Sequence, residues 1–147
     1  MKATGRFLGL DVGRRRIGVA VSDPLGMLAS PQGLVAVGAD GGLGEVCALV
    51  ERLAVAGIVV GLPLSLAGDE TEEAQHVQAW VEHLRMRVQV PIELWDERLS
   101  TVAAERALLE GGMRREKRKQ HRDAVAAALI LQSYLDAHST TPDIADP

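Results

Sequence analysis

The sequence predicts an α/β fold in which one mixed sheet of five strands carries helices on both faces. Three short apolar segments with short connections occupy the first 37 residues, a pattern typical of antiparallel strands. The rest of the chain alternates between apolar residues at helical spacing and continuous apolar runs. Because right-handed crossovers join strands through helices, the later strands are expected to be parallel.

The antiparallel part of the sheet comes first in the chain. Residues 7–12 are predicted to form a strand that ends just after Asp11, and residues 17–22 a second strand. Residues 13–16 form the turn between them, and residues 33–37 are predicted as a third, short strand. A carboxylate therefore stands at the end of a strand that is otherwise apolar.

Two helical stripes separate the later strands. The first precedes a β-branched run at 58–62, which is typical of a strand buried on both faces. The second follows a loop at 63–68, and Asp69 or Thr71 can cap its helix. A last strand is predicted at 91–95. The two stripes consist of Leu43, Val46, Cys47, Val50 and Leu53, and of Ala74, Val77, Val81, Leu84 and Val88.

The C-terminal third is predicted to contain two helices joined by a basic loop. The first helix covers residues 100–112 and has glycines past its end, and the loop covers 114–122. The last helix, at 123–136, is apolar on nearly all sides and is expected to be well buried. We expect a single domain over residues 1–138 and a flexible tail at 139–147.

Composition favours one soluble domain. The chain has 147 residues, of which 47% are hydrophobic, enough for one core. An uncharged run at 53–68, which no other run exceeds in length, is broken by glycines and a proline and is too short to span a bilayer. A single cysteine, Cys47, excludes an internal disulfide and a multi-cysteine metal site. We expect a cytoplasmic protein without a membrane partner.

The charges are unevenly distributed. The net charge of −4 argues mildly against a nucleic-acid partner, yet two blocks hold nine of the 16 basic residues. These blocks are either solvated surface or a surface that holds a phosphate backbone. They consist of Arg14, Arg15 and Arg16, and of Arg114, Arg115, Lys117, Arg118, Lys119 and Arg122.

Acidic residues stand at the ends of two predicted strands and at the head of the last helix. They are Asp11, the pair Asp96 and Glu97, and Asp123. Successive strand residues point to opposite faces, so Asp96 is predicted to make a structural hydrogen bond and Glu97 to face the site. Each acid alone has a structural interpretation, and Asp123 could be a helix N-cap. Three converging carboxylates would need a cation, and Mg²⁺ or Mn²⁺ suits oxygen ligands.

Four segments resemble the motifs of the YqgF/RuvX family, over roughly residues 7–136 and in the family's order. This is a bacterial family of Holliday-junction-resolvase-like proteins that are regarded as nucleases of precursor 16S rRNA. The resemblance implies an RNase H-like fold and a divalent-metal nuclease. The converging carboxylates themselves suit a two-ion site, which supports in-line displacement at phosphate. The segments are "GLDVGRRRIGVAVSD" (9–23), "VVGLPLSLAG" (59–68), "WDERLSTVAAERAL" (95–108) and "DAVAAALILQSYL" (123–135).

The resemblance also implies roles for individual residues. The family's three acids fall on Asp11, Glu97 and Asp123, which are thereby expected to be catalytic metal ligands. His121 either assists near the metal or is an exposed loop histidine. The motif residues expected near the nucleic acid or the site are Arg14, Arg16, Arg98, Ser100 and Thr101.

Alternative functions remain open. A Holliday-junction resolvase would use the same chemistry on four-way DNA, and its paired cuts would need a dimer, so we expect a monomer or a homodimer. An actin-like ATPase also begins with Asp-x-Gly at a strand end, but it needs two such domains around its nucleotide. A non-catalytic RNA-binding assembly factor would retain the acids only for structure.

Overall fold

The computed structural model describes residues 5–100 and 115–139, and the side chains of all of these except 115–122. Apart from its first residue, the predicted helix at 100–112 lies outside the described residues, and so does the predicted tail beyond residue 139. The strands are β1 (Phe7–Val12), β2 (Arg16–Ser22), β3 (Ala29–Ala36), β4 (Gly57–Leu62) and β5 (Ile92–Asp96). The helices are α1 (Leu43–Arg52), α2 (Glu72–Arg85) and α3 (Arg115–Ala137), with a 3₁₀ helix at Glu97–Leu99.

The five strands form one sheet in the order β3-β2-β1-β4-β5. Strand β2 pairs antiparallel with β1 and β3, whereas β4 pairs parallel with β1 and β5. Leu10 lies beside Val60, and Val60 lies beside Leu94, so the three parallel strands end at the same edge. The predicted mixed sheet is confirmed, and its carboxyl edge is where ligands bind in sheets of this kind.

The edge strand β3 is longer than the sequence predicts. The prediction begins it at Gly33, whereas the structure begins it at Ala29. Pro31 is tolerated because β3 is an edge strand, where a missing N–H leaves no partner unpaired. The pairing shifts register between Val19 and Ala20, so that β3 accommodates one extra residue. The proline and the bulge hide the first half of this strand from a pattern of alternating side chains.

Helices cover both faces of the sheet, as predicted. On one face, Leu8 and Leu10 of β1 and Val60 of β4 share a hydrophobic core with α1 and α2. On the other face, Val59 of β4 and Ala20 of β2 pack under the apolar side of α3. The alternation of side chains along β1 and β4 therefore divides their residues between two cores.

The last helix begins eight residues earlier than predicted. Helix α3 starts at Arg115, so the prediction of a basic loop at 114–122 and of a helix start at Asp123 is wrong. Arginine, lysine, glutamate and glutamine are good helix formers, and a helical turn without apolar residues leaves no periodic signal. Asp123 is consequently an interior helix residue and not an N-cap. In the described part of the chain, no helix combines the length and the hydropathy that crossing a membrane requires.

The carboxylate of Asp40 makes a pH-dependent contribution to stability. It accepts hydrogen bonds from the backbone N–H groups of Gly44 and Gly42, both at 2.9 Å, and these bonds lower its pKa below the ordinary 3.8. A depressed pKa adds stability above pH 3.8, and this stability is lost as the pH falls through the lower folded-state pKa. We expect Asp40→Asn to lower the free energy of unfolding at neutral pH and to match the wild type in acid. Urea unfolding from about pH 2 to about pH 6 measures this; a constant difference contradicts it.

Candidate active site

Two of the predicted acids stand at the carboxyl edge of the sheet. Asp11 is near the end of β1, and Glu97 directly follows β5 in the 3₁₀ helix. Because Leu10 lies in the core under α1 and α2, its neighbour Asp11 faces the opposite side of the sheet, where α3 packs. The third predicted acid, Asp123, belongs to α3 itself. The fold therefore assigns all three acids to one face of the sheet.

Glycines flank Asp11 on both neighbouring strands of this face. Gly18 of β2 is paired with Asp11, and Gly61 occupies the adjoining position of β4. A β-carbon on Gly18 would lie 2.5 Å from the carbonyl carbon of Asp123, and one on Gly61 would lie 3.0 Å from Oε2 of Glu97. The space left by two missing side chains thus admits the other two acids beside Asp11. Sequence reasoning missed both glycines, although a glycine inside a strand is the signal for such an approach.

Hydrogen bonds from several directions fix the turn that carries Glu97. The carboxylate of Asp96 accepts a backbone N–H of the turn at 2.9 Å, which confirms its predicted structural role. Ser100 donates its hydroxyl to the carbonyl of Glu97 at 2.8 Å. Ser133 of α3 donates to the carbonyl of Leu99 at 2.9 Å, so the turn is also tied to the helix that carries the third acid.

Arg98 ties the loop after β4 to the end of β5. Its guanidinium forms an ion pair with Asp96 at 2.7 Å and donates to the carbonyl of Leu66 at 3.2 Å. Hydrogen bonding within the ion pair lowers the pKa of Asp96 and raises the pKa of Arg98. Gly68, at a φ of 92°, lies against the same guanidinium. These contacts hold the turn after β5 against the loop after β4, and the predicted contact of Arg98 with nucleic acid stays a prediction.

Two arginines of the first basic block are paired with carboxylates. Arg16, at the start of β2, donates from Nε to Oδ2 of Asp123 at 2.7 Å, and the two side chains are 33% and 24% exposed. Arg14 pairs with Glu73 of α2 at 3.1 Å, and both of these side chains are more than half exposed. The Arg16 pair joins residues 107 positions apart and links α3 to the sheet beside Asp11.

A pocket of about 350 Å³ collects these groups. Four carboxylates and three guanidiniums line it. Glu73 is the acid that the sequence prediction did not include, because its place in the first turn of α2 signals only a favourable interaction with the helix dipole. The lining residues are Asp11, Val12, Gly13, Arg14, Arg15, Arg16, Pro63, Glu73, Glu97 and Asp123.

The donor set of the pocket suits a hard divalent cation. Asp11, Glu97 and Asp123 offer only oxygen ligands, the type that Mg²⁺ and Mn²⁺ prefer. Among residues 5–100 and 123–139, no three carboxylate, imidazole or thiol side chains are close enough to hold one ion. The Asp123 carboxylate is instead bonded to Arg16. The oxygen ligands thus fit the predicted ion, and binding through all three acids requires that Asp123 exchange Arg16 for the ion.

Comparison with known proteins decides the family. A family model described as "RuvX: Holliday junction resolvase" matches residues 5–137. The chain belongs to the RuvX family. A relative from Roseiflexus sp. (strain RS-1) is 46% identical to this RuvX-family chain over 134 residues, which cover 90% of the chain and 95% of the relative. A relative from Clostridium novyi (strain NT) is 46% identical over 135 residues, with 90% and 98% covered. Both bear the name "Putative pre-16S rRNA nuclease".

Solved structures agree with the predicted fold. RuvC of Thermus thermophilus matches the RuvX-family chain with a TM-score of 0.53 at 16% identity, covering 90% of this chain and 95% of RuvC. RuvC in complex with a Holliday junction substrate gives a TM-score of 0.55 at the same identity, with 90% and 94% covered. This likeness confirms the RNase H-like fold. The predicted class, a nuclease, agrees with the family description and with the names of the relatives.

The second basic block of the RuvX-family chain is only partly described. Residues 115–122 form the first turns of α3, but their side chains, including His121, lie outside the described part of the chain. Thr101 and Arg114 lie outside it entirely. Their expected roles stay predictions. The residues affected are Thr101, Arg114, Arg115, Lys117, Arg118, Lys119, His121 and Arg122.

Proposed function

We propose that this protein is a divalent-metal-dependent nuclease that trims the 5′ end of precursor 16S rRNA. The observation that carries the proposal is the common pocket of Asp11, Glu97 and Asp123 at the carboxyl edge of an RNase H-like sheet. The relatives' names support the RNA substrate, since proteins at 46% identity over most of the chain are named for pre-16S rRNA. Hydrolysis would add water across one phosphodiester P–O bond and leave a phosphate on one fragment and a hydroxyl on the other.

The three acids act as the ligands of the cation, each held by a different element. Asp11 is fixed by β1, Glu97 by a hydrogen-bonded turn, and Asp123 by α3. Divalent ions held by these acids would supply an activated water and positive charge that stabilises the leaving oxygen. The chain's own contribution is to hold carboxylates of three elements within one pocket. Glycines beside Asp11 keep that space open.

The arginines of the pocket position the substrate. Arg14, Arg15 and Arg16 follow Asp11 in the turn between β1 and β2 and line the same pocket. Guanidiniums bind phosphate oxygens with two parallel hydrogen bonds, and such contacts set the register of a nucleic-acid backbone without reading its sequence. The three arginines therefore place a phosphate next to the acids and leave sequence selection to other parts of the complex.

A Holliday-junction resolvase is the second candidate, because the description of the matching family names that activity. The acids cannot separate the two functions, since both hydrolyse a phosphodiester bond. They differ in substrate and symmetry: a resolvase makes paired cuts in four-way DNA and needs a dimer.

A cleavage assay with parallel substrates tests the proposal. The wild-type protein is incubated with precursor 16S rRNA, four-way DNA and linear duplex DNA in Mg²⁺, in Mn²⁺ and in EDTA, and the cut ends are mapped. We expect metal-dependent removal of the 5′ leader. Symmetric cuts in four-way DNA with intact rRNA would favour the resolvase. Cleavage in EDTA, or ATP hydrolysis without cleavage of any nucleic acid, would overturn the proposal.

A further inference from the structure

The ion pair between Arg16 and Asp123 occupies a carboxylate that the proposed function assigns to the cation. The bond is short, at 2.7 Å, and both side chains are largely shielded from water. The guanidinium occupies the Oδ2 oxygen of Asp123, and a divalent cation bound to the same carboxylate would lie close enough for the two positive charges to repel each other. The two partners of Asp123 therefore compete.

We infer that Arg16 is a positioning residue that holds Asp123 until cation and substrate arrive together. This inference rests on the proposed metal-dependent function and concerns how its site is assembled. In the unliganded protein Arg16 neutralises Asp123 and keeps four pocket carboxylates from repelling one another. On binding, Asp123 turns from Arg16 to the cation, and Arg16, which lines the same pocket, turns to a phosphate of the substrate.

The exchange links metal binding to nucleic-acid binding. A phosphate that draws Arg16 away makes Asp123 available to the cation, and a cation on Asp123 releases Arg16 for the phosphate. By thermodynamic linkage each ligand then strengthens the other's binding by the same factor. Without nucleic acid, the cation has to displace the arginine at a cost, so the pocket binds metal weakly until a substrate is present.

Titration of the protein with Mn²⁺, without nucleic acid, tests the inference by calorimetry. Arg16→Gln removes the competing guanidinium, and we expect it to bind Mn²⁺ roughly five- to tenfold more tightly than the wild type. In the Asp123→Asn background the same substitution has no competitor to remove, so there we expect only the small gain in affinity that follows from the loss of one positive charge. An equal gain in both backgrounds would overturn the inference.

Arg15→Gln is the matched control for charge. Arg15 lines the same pocket, and among the described side chains none forms a hydrogen bond or ion pair with its guanidinium. Its loss removes one positive charge without releasing Asp123, so a smaller gain in Mn²⁺ affinity is expected. A gain as large as that of Arg16→Gln would assign the effect to charge alone and overturn the inference.

The same titration separates this inference from the proposed function. If the wild type binds Mn²⁺ and Asp11→Asn does not, the metal site stands, and the result for Arg16→Gln decides the inference alone. If the wild type, Asp11→Asn and Arg16→Gln all fail to bind Mn²⁺, the proposed metal site and the inference about Arg16 both fail. A second readout is the salt dependence of RNA binding, compared between the inactive Asp11→Asn variant and the Asp11→Asn,Arg16→Gln double variant. We expect the affinity of the double variant for RNA to fall less steeply with salt concentration, by the share of about one phosphate contact.

Discussion

Replacing Asp11 by asparagine is expected to lower the rate of cleavage at least about a thousandfold while leaving the fold intact. The substitution keeps the size of the side chain but removes the charge that binds the cation. A bound metal stabilises the transition state by several kcal/mol, and each 1.36 kcal/mol is a factor of ten in rate, so its loss costs about three orders of magnitude. The rate of leader removal from precursor rRNA in Mg²⁺ measures the effect.

Asp23→Asn is the matched control for this experiment. Asp23 lies at the opposite end of the sheet, where its Oδ1 accepts the N–H groups of Met27 and Leu28 at 2.7 and 2.9 Å. The same chemical change at that turn is expected to leave the rate unchanged. Circular dichroism and thermal melting show whether each variant is folded. A folded Asp11→Asn protein with the wild-type rate would refute the assignment of the site.

Replacing Gly18 by alanine is expected to lower stability by about 3 kcal/mol, and the melting temperature by about 6–12 °C. The new methyl group would overlap the backbone of Asp123, with the carbonyl carbon 2.5 Å away. Backbone cannot rotate aside as a side chain can, so α3 has to move away from the sheet. Since α3 carries Asp123, we also expect a loss of activity at temperatures where the variant is fully folded.

Gly9→Ala separates the effect on packing from the effect on the site. Gly9 also faces α3, and its added methyl group would lie 2.7 Å from Cβ of Leu131, two turns away from Asp123. We expect a comparable loss of stability and a smaller loss of activity. Ala36→Val, on the exposed edge of β3, adds volume in open space and is expected to change stability little. A Gly18→Ala protein that melts like the wild type would show that the approach of α3 is not as close as described.

The sheet could be predicted because its signals are local. Apolar runs and short connections identify the strands, and the handedness of crossovers settles which of them are parallel. The starts of β3 and α3 were misplaced, in both cases because the first residues of the element lack its usual apolar pattern. Pro31 and a bulge conceal the start of β3, and the charged first turns of α3 carry no apolar periodicity. Local patterns therefore gave the topology but not the ends of these two elements.

The candidate site could be predicted only in part. Asp11 and Glu97 stand out because a carboxylate at the end of an apolar strand is unusual, and the family motifs add Asp123. Gly18 and Gly61 matter through what packs on them, and a glycine in a sequence does not say what that is. The pairing of Arg16 with Asp123 joins residues 107 positions apart, and only the folded chain brings them together.

Binding of Mn²⁺ to three single variants tests the central claim most directly, namely that three carboxylates from separate elements form one metal site. Asp11→Asn, Glu97→Gln and Asp123→Asn each remove one proposed ligand charge with little change in shape. Calorimetry of the folded proteins is expected to show that each variant binds Mn²⁺ at least about tenfold more weakly than the wild type. Wild-type affinity in any one of the three would contradict the claim, because that acid would then not belong to the site.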